Sequence, residues 1–243
     1  MCNSTIKKIL LENKQFDHIA KSQNKKLIIC LGLLGDFDSF EYVQSLMQKW
    51  DELLELKIDL LVLAIGTEES KRKFCSYTGL PSNKLSVFQN CKIHKQLRLC
   101  YGLKLPIGNL NNLILMCLGV NSPGTLAEVL RGYIGDKRSS RIFNEDDEIS
   151  LFKLIKFKGK VFDSLGDKNC MRPFELASLR LLNMIEVFKY WNIYMFDHNF
   201  LTNRSATFLL DHNLDLIYQY KSNSLLTYSE TMSNPLSFLK NKN

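Results

Sequence analysis

Paired cysteines are missing from this chain. Its seven cysteines, Cys2, Cys30, Cys75, Cys91, Cys100, Cys117 and Cys170, include no C-x-x-C, which gives no basis for a structural zinc site. The count is odd, and the first residues, MCNSTIKKILLENKQF, hold no apolar core of a signal peptide. Both features argue against a disulfide framework and for a reducing, cytoplasmic setting. Histidine is scarce, and His18, His94, His198 and His212 have neither H-x-x-x-H nor H-x-E spacing, so no metal and no cofactor is expected. No apolar run reaches 18 residues, so no membrane partner is expected either. With only 12 Gly and 5 Pro, and no repeat or low-complexity tract, fibrous and array architectures are excluded.

What is present is apolar: 45% of the 243 residues are hydrophobic and 11% aromatic, enough to exclude disorder as the dominant state. The length fits one large domain or a domain with a big insertion. Lys and Arg exceed Asp and Glu by 32 to 25, which raises the question of nucleic acid. The main basic concentration is Lys153, Lys156, Lys158 and Lys160, alternating with Leu154, Ile155, Phe157 and Val161, with Lys137, Arg138 and Arg141 just before. Glu145 to Glu148 is an acidic block that offsets it, and the motifs of RNA-binding sheets are missing. A solvated edge strand guarded by lysines accounts for the segment, and no nucleic acid is expected.

The pattern along the chain is α/β. Residues 1–24 read as an amphipathic helix or arm, with Ile6, Leu10 and Phe16 inward. Residues 25–100 alternate strand and helix. Leu27–Leu31 and Ile58–Ile65 are strands buried on both faces, and Leu85–Phe88 is a third. Asp38 and Glu41 form an acidic capping box, opening a helix that carries Phe40, Val43, Leu46, Met47, Trp50, Leu53 and Leu54. A second helix spans 68–77 and stops at Gly79 and Pro81; a third spans 91–99. Residues 101–206 are too many for a loop and read as a largely helical insertion, with helices opened by Pro123-Gly124-Thr125 and by Pro173, the latter reaching about Trp191. Residues 207–243 supply a hairpin, Thr207–Leu210 and Leu216–Tyr220 about the Asp211-His212-Asn213 turn, and a closing helix near Leu239.

Several segments carry a family resemblance. Lys73-Phe74-Cys75-Ser76-Tyr77-Thr78-Gly79-Leu80-Pro81 resembles a segment of the peroxiredoxin-like AhpC/TSA antioxidant enzymes, and Ile93 to Leu99 looks like their next helix. Gly124 to Tyr133 and Arg172 to Arg180 are similar to their later segments. The resemblance spans most of residues 26–239. It implies a thioredoxin-like fold, a central mixed sheet flanked by helices, with a helical insertion before the C-terminal hairpin. It also implies thiol-dependent peroxide reduction, with a thiol reductant or other protein as partner.

That chemistry needs a thiolate at the N-terminus of the helix after the first strand, where the helix dipole and free N–H groups lower the cysteine pKa. Here the loop reads Gly32-Leu33-Leu34-Gly35-Asp36-Phe37-Asp38-Ser39, so Asp36 and Ser39 stand where the family has its two cysteines. The expected function is therefore a degenerate member of the family. Gly35, Asp38 and Arg204 are the candidate pocket around that loop. Asp38 reads first as an N-cap; Asp36 has no such ready explanation. The alternatives are a non-catalytic protein-binding or scaffold module, and a redox protein using a relocated thiol, Cys75 or Cys170. Cys75 reads as a small core residue, as do Cys30 and Cys117. His94 reads as a half-buried packing residue, and Arg172, Glu175 and Arg180 as an i, i+3 pair on a solvated face.

Overall fold

In this computed structural model, which describes residues 2–151 and 155–240, the chain begins with α1 (Cys2–Glu12), a 3-10 turn (Lys14–Phe16) and α2 (Asp17–Ala20), which together bury Ile6, Ile9, Leu10, Phe16 and Ile19. β1 (Lys25–Leu33) follows. Successive side chains on a strand point to opposite faces, so Leu27, Ile29, Leu31 and Leu33 join one core while Ile28 and Cys30 join another. α3 (Phe37–Met47) and α4 (Trp50–Glu55) lead into β2 (Ile58–Ile65), parallel to β1. The single helix expected over this stretch breaks after Met47, and Leu54 faces solvent. α5 (Glu68–Thr78) opens with Thr67 and Ser70 capping each other and ends at Gly79 in the left-handed region (φ 77°). β3 (Leu85–Phe88), parallel to β2, and the short α6 (Lys92–Gln96) complete the unit.

The insertion then contributes α7 (Asn109–Cys117), α8 (Thr125–Ile134), β4 (Glu148–Leu151), β5 (Ile155–Lys158), α9 (Glu175–Lys189) and α10 (Trp191–Tyr194). β6 (Ala206–Leu210) and β7 (Leu216–Lys221) form the expected hairpin. The five long-range strands make one sheet in the order β3-β2-β1-β6-β7, parallel on the β1–β2–β3 side and antiparallel on the other. This is a mixed α/β sheet flanked by helices, consistent with a thioredoxin-like fold. One face is covered by α1, α2 and α6, the other by α3, α5, α9 and α10.

Two local expectations are corrected, at Pro173 and at the C-terminus, and one is met in the insertion. β4 and β5 pair only with each other, so β5, with Lys156 and Lys158, is a solvated edge strand as expected, in a two-stranded ribbon apart from the central sheet; Lys153 and Leu154 lie outside the described residues. Pro173 does not open α9. Phe174 caps it in the left-handed region (φ 64°), and the helix starts at Glu175 because the buried Glu175 carboxylate takes the N–H groups of Arg172, Ile142 and Phe143. The closing helix is a single 3-10 turn, Ser237–Leu239. No helix among the described residues is long and apolar enough to cross a membrane.

Candidate functional site

β1 ends irregularly. Its register against β2 shifts between Cys30 and Leu33, and the Leu31 carbonyl accepts a hydrogen bond from Nε2–H of His94 on α6 at 2.8 Å. His94 is buried rather than half-buried, and burial lowers its pKa to about 4, so the neutral ring is the one held there. The chain then turns through Leu34, held by Ile65 O, and Asp36, whose N–H reaches Leu33 O, and enters α3. This is the carboxyl end of a central strand, the usual place for ligand chemistry in open α/β sheets.

Asp36, not Asp38, is the cap of α3. Its Oδ1 accepts the Ser39 N–H at 2.7 Å, satisfying one of the open donors of the first turn. Asp38 sits in the first turn, two residues past the cap, and is committed elsewhere. Its Oδ2 pairs with Arg204 Nη1 at 3.0 Å, and its Oδ1 accepts the Leu226 N–H at 2.7 Å. Of the candidate pocket residues, Asp38 and Arg204 are thus in direct contact. Arg204 is fully buried, and its fork also donates to Thr202 O and Leu201 O. Burial raises both carboxyl pKa values and Arg204 opposes it, while the Asp36 carboxylate adds to the load on Asp38, which is pushed up to about 7. One buried guanidinium offsets two buried acids, bonded to Asp38 and acting on Asp36 through its charge.

The loop is roofed. A Cβ at Gly35 would meet Met195 Cε at 2.8 Å and Tyr194 Cβ at 2.9 Å, so only glycine lets the end of α10 lie on it. A Cβ at Gly32 would collide with Asp36 Oδ2 and with Asn203 O at 2.6 Å. Residues 201–210 are all buried, and Asp36 and Asp38 are 7% and 2% exposed. The Asn203 amide and the Ser205 hydroxyl, buried beside this loop, have no hydrogen-bond partner among the described residues. Sequence reasoning missed both, because a buried asparagine and serine ahead of a strand look like an ordinary turn.

A second polar cluster ties α3 to the insertion. Glu41, expected as a capping partner, instead takes Arg180 Nε at 2.7 Å and Nη2 at 3.2 Å, with the Tyr228 hydroxyl donating at 3.1 Å. Arg180 is therefore not on a solvated face; its Nη1 also reaches Glu128 O at 2.7 Å. The Arg172–Glu175 pair does form, but fully buried, with Arg172 also bonded to Asp163. Beside Glu41 lies a cavity of about 140 Å³ lined by Gln44, Ser45, Ser139 and Tyr228 among others. Its buried charges are already matched: Glu41 by Arg180, and Arg131 by Glu128 at 2.7 Å.

The thiols are dispersed. Cys75 is buried in the α5 core, where burial raises its pKa, Lys71 offsetting and Glu68 adding to the shift. Cys170 is buried with Sγ 3.5 Å from Asp167 O, and Cys30 is buried within β1. Cys117 is exposed rather than inert in a core; desolvation and the Asp38 carboxylate raise its pKa while Arg204 lowers it. Among the described residues no group of three or more His, Cys, Asp or Glu side chains could hold a metal ion. No family model, no curated protein and no solved structure matches this chain.

Proposed function

We propose that the chain is a peroxiredoxin-like protein of the AhpC/TSA antioxidant type that no longer reduces peroxide and serves as a non-catalytic binding or scaffold subunit. One observation carries the reading. At the start of α3, where peroxide chemistry would need a thiolate, a buried Asp36 carboxylate caps the helix through Ser39. A carboxylate satisfies the same N–H donors and dipole that would activate a thiolate, but it cannot be oxidised to a sulfenic acid. Tyr194, Met195, Leu226 and Arg204 close over the loop, which supports a structural role for the cluster. A cytoplasmic location and a protein partner fit this reading.

Relocation of the chemistry to Cys75 or Cys170 has less behind it. A peroxide-reactive thiol is exposed and ionised, and Cys75 is buried with its pKa raised. The test is hydrogen peroxide consumption by the purified chain with dithiothreitol as donor. The expected rate equals that of donor alone. Turnover that disappears in Cys75→Ser would overturn the reading and favour the relocated thiol.

A further inference from the structure

Arg131, on α8, is a largely buried guanidinium whose terminal edge is unfilled. One turn back on the same helix, Glu128 takes its Nε at 2.7 Å, and the Arg131 side chain is only 12% exposed. The other nitrogens find nothing as close among the described residues. Nη1 lies 3.5 Å from Ser139 Oγ and 3.8 Å from Asp136 Oδ2, and Nη2 lies 3.9 Å from Glu41 Oε1. Both carboxylate separations are longer than a hydrogen bond. Buried donors are normally filled. The edge of a guanidinium that grips a carboxylate through two parallel bonds therefore stands open here.

That edge belongs to a cavity. Arg131 lines the space of about 140 Å³ beside Glu41, and so do Glu41 and Ser139, the residues its terminal nitrogens face. Ile142, Met171, Leu176 and Leu179 give the cavity an apolar side. Arg138 and Lys49, with side chains 81% and 43% exposed, stand at its mouth, paired with Asp136 and Glu52 from outside the lining. The lining carboxylate, Glu41, is neutralised: Arg180 takes both of its oxygens and the Tyr228 hydroxyl donates to one. What remains facing inward is positive, and a positive concave wall gathers anions.

We propose that this cavity binds a small monocarboxylate with a short aliphatic body, its carboxylate on Nη1 and Nη2 of Arg131 and its chain against Leu176 and Leu179. Size sets the body. An apolar cavity of roughly 150 Å³ holds benzene, so about six non-hydrogen atoms fit, the size of butyrate. Charge sets the head. One carboxylate fills the open fork, whereas a second acid would be buried against the apolar side without a partner. The proposal is independent of the chemistry at Asp36.

Isothermal titration calorimetry of the full chain with butyrate, acetate, octanoate, 1-butanol and inorganic phosphate tests it. Butyrate should bind saturably, about fifteenfold tighter than acetate, at about fourfold for each buried methylene. Butanol, without the charge, and phosphate, without the body, should each bind at least about tenfold more weakly than butyrate. Octanoate is too long for the cavity and should gain nothing over acetate. Arg131→Gln should abolish the preference for butyrate over butanol. Because Arg131 also holds Glu128, a second variant, Leu179→Trp, fills the cavity and leaves the guanidinium in place. It should remove butyrate binding with circular dichroism unchanged, and the wild-type ligand series decides alone should either variant unfold. No saturable binding of butyrate, which would mean that the cavity holds water alone, equal affinity for butyrate and butanol, or butyrate binding undiminished in folded Leu179→Trp would overturn the proposal.

Discussion

Arg204 answers to two acids at once. It is fully buried, donates to Asp38 at 3.0 Å and to two backbone carbonyls, and lowers the pKa of both Asp36 and Asp38 against the pull of burial. Removing one partner of a buried ionic cluster leaves an uncompensated charge, at a cost of about 3–5 kcal/mol. Arg204→Met should lose that much in urea unfolding. Arg204→Lys should recover little, because an ammonium cannot span three acceptors in the geometry of a guanidinium fork. A lysine variant of wild-type stability would contradict this. The pH dependence has a definite sign. With its pKa raised to about 7, Asp38 holds a proton in the folded chain that it loses in the unfolded one over the range between 3.8 and about 7, so stability falls as pH rises through that range. His94, lowered from 6.5 to about 4, works in the opposite direction below 6.5. The carboxyl effect therefore stands clear above roughly pH 6.5, and the melting temperature should fall from there to roughly pH 8. Asp36→Asn keeps a good capping side chain and removes one of the two charges. It should flatten that slope and raise stability at the upper pH by on the order of 1 kcal/mol; a destabilised variant with the slope intact would count against the shared-guanidinium account.

At the level of elements, α3 ties the insertion to the sheet. Gln44 and Asn183 pair their amides reciprocally at 2.9 Å, and Glu41 is bonded by Arg180 on the same helix, α9. Arg180→Met leaves the Glu41 carboxylate buried with the Tyr228 hydroxyl as its close donor. The expected result is a loss of about 2 kcal/mol and faster amide exchange along Glu175–Lys189 than along β1; equal exchange in the two elements would show that α9 is not docked through this pair. These contacts also explain what could be read in advance. β1, β2 and the hairpin were legible because continuous apolar runs have few other ways to be buried. The start of α3 was ambiguous. Asp36 with Ser39 and Asp38 with Glu41 are overlapping frames that both satisfy capping rules. What decides between them is distant: Arg204 lies 166 residues from Asp38 and Arg180 lies 139 from Glu41, and each claims the carboxylate that local rules would spend on a cap. Arg204 was legible as a neighbour of the loop, its guanidinium contacts were not, and Asn203 left no local signal at all.

Across the whole molecule the insertion performs two separate tasks. Its last helix, α10, presses Tyr194 and Met195 onto Gly35 and seals the carboxyl end of β1, while α7 and α8 carry an uncharged apolar face outward. On the proposed reading, a loop sealed in this way and occupied by a helix-capping carboxylate is an antioxidant enzyme's reaction position without its nucleophile. The described cysteines lie elsewhere, and where burial acts on them, at Cys75 and Cys117, it raises the thiol pKa. The most direct measurement is a short exposure of the reduced chain to one equivalent of hydrogen peroxide with dimedone present, read by intact mass and peptide mapping. The account predicts no sulfenic adduct and no loss of thiols on the timescale of peroxidase turnover. Rapid, stoichiometric trapping at a single cysteine, Cys75 above all, would contradict it.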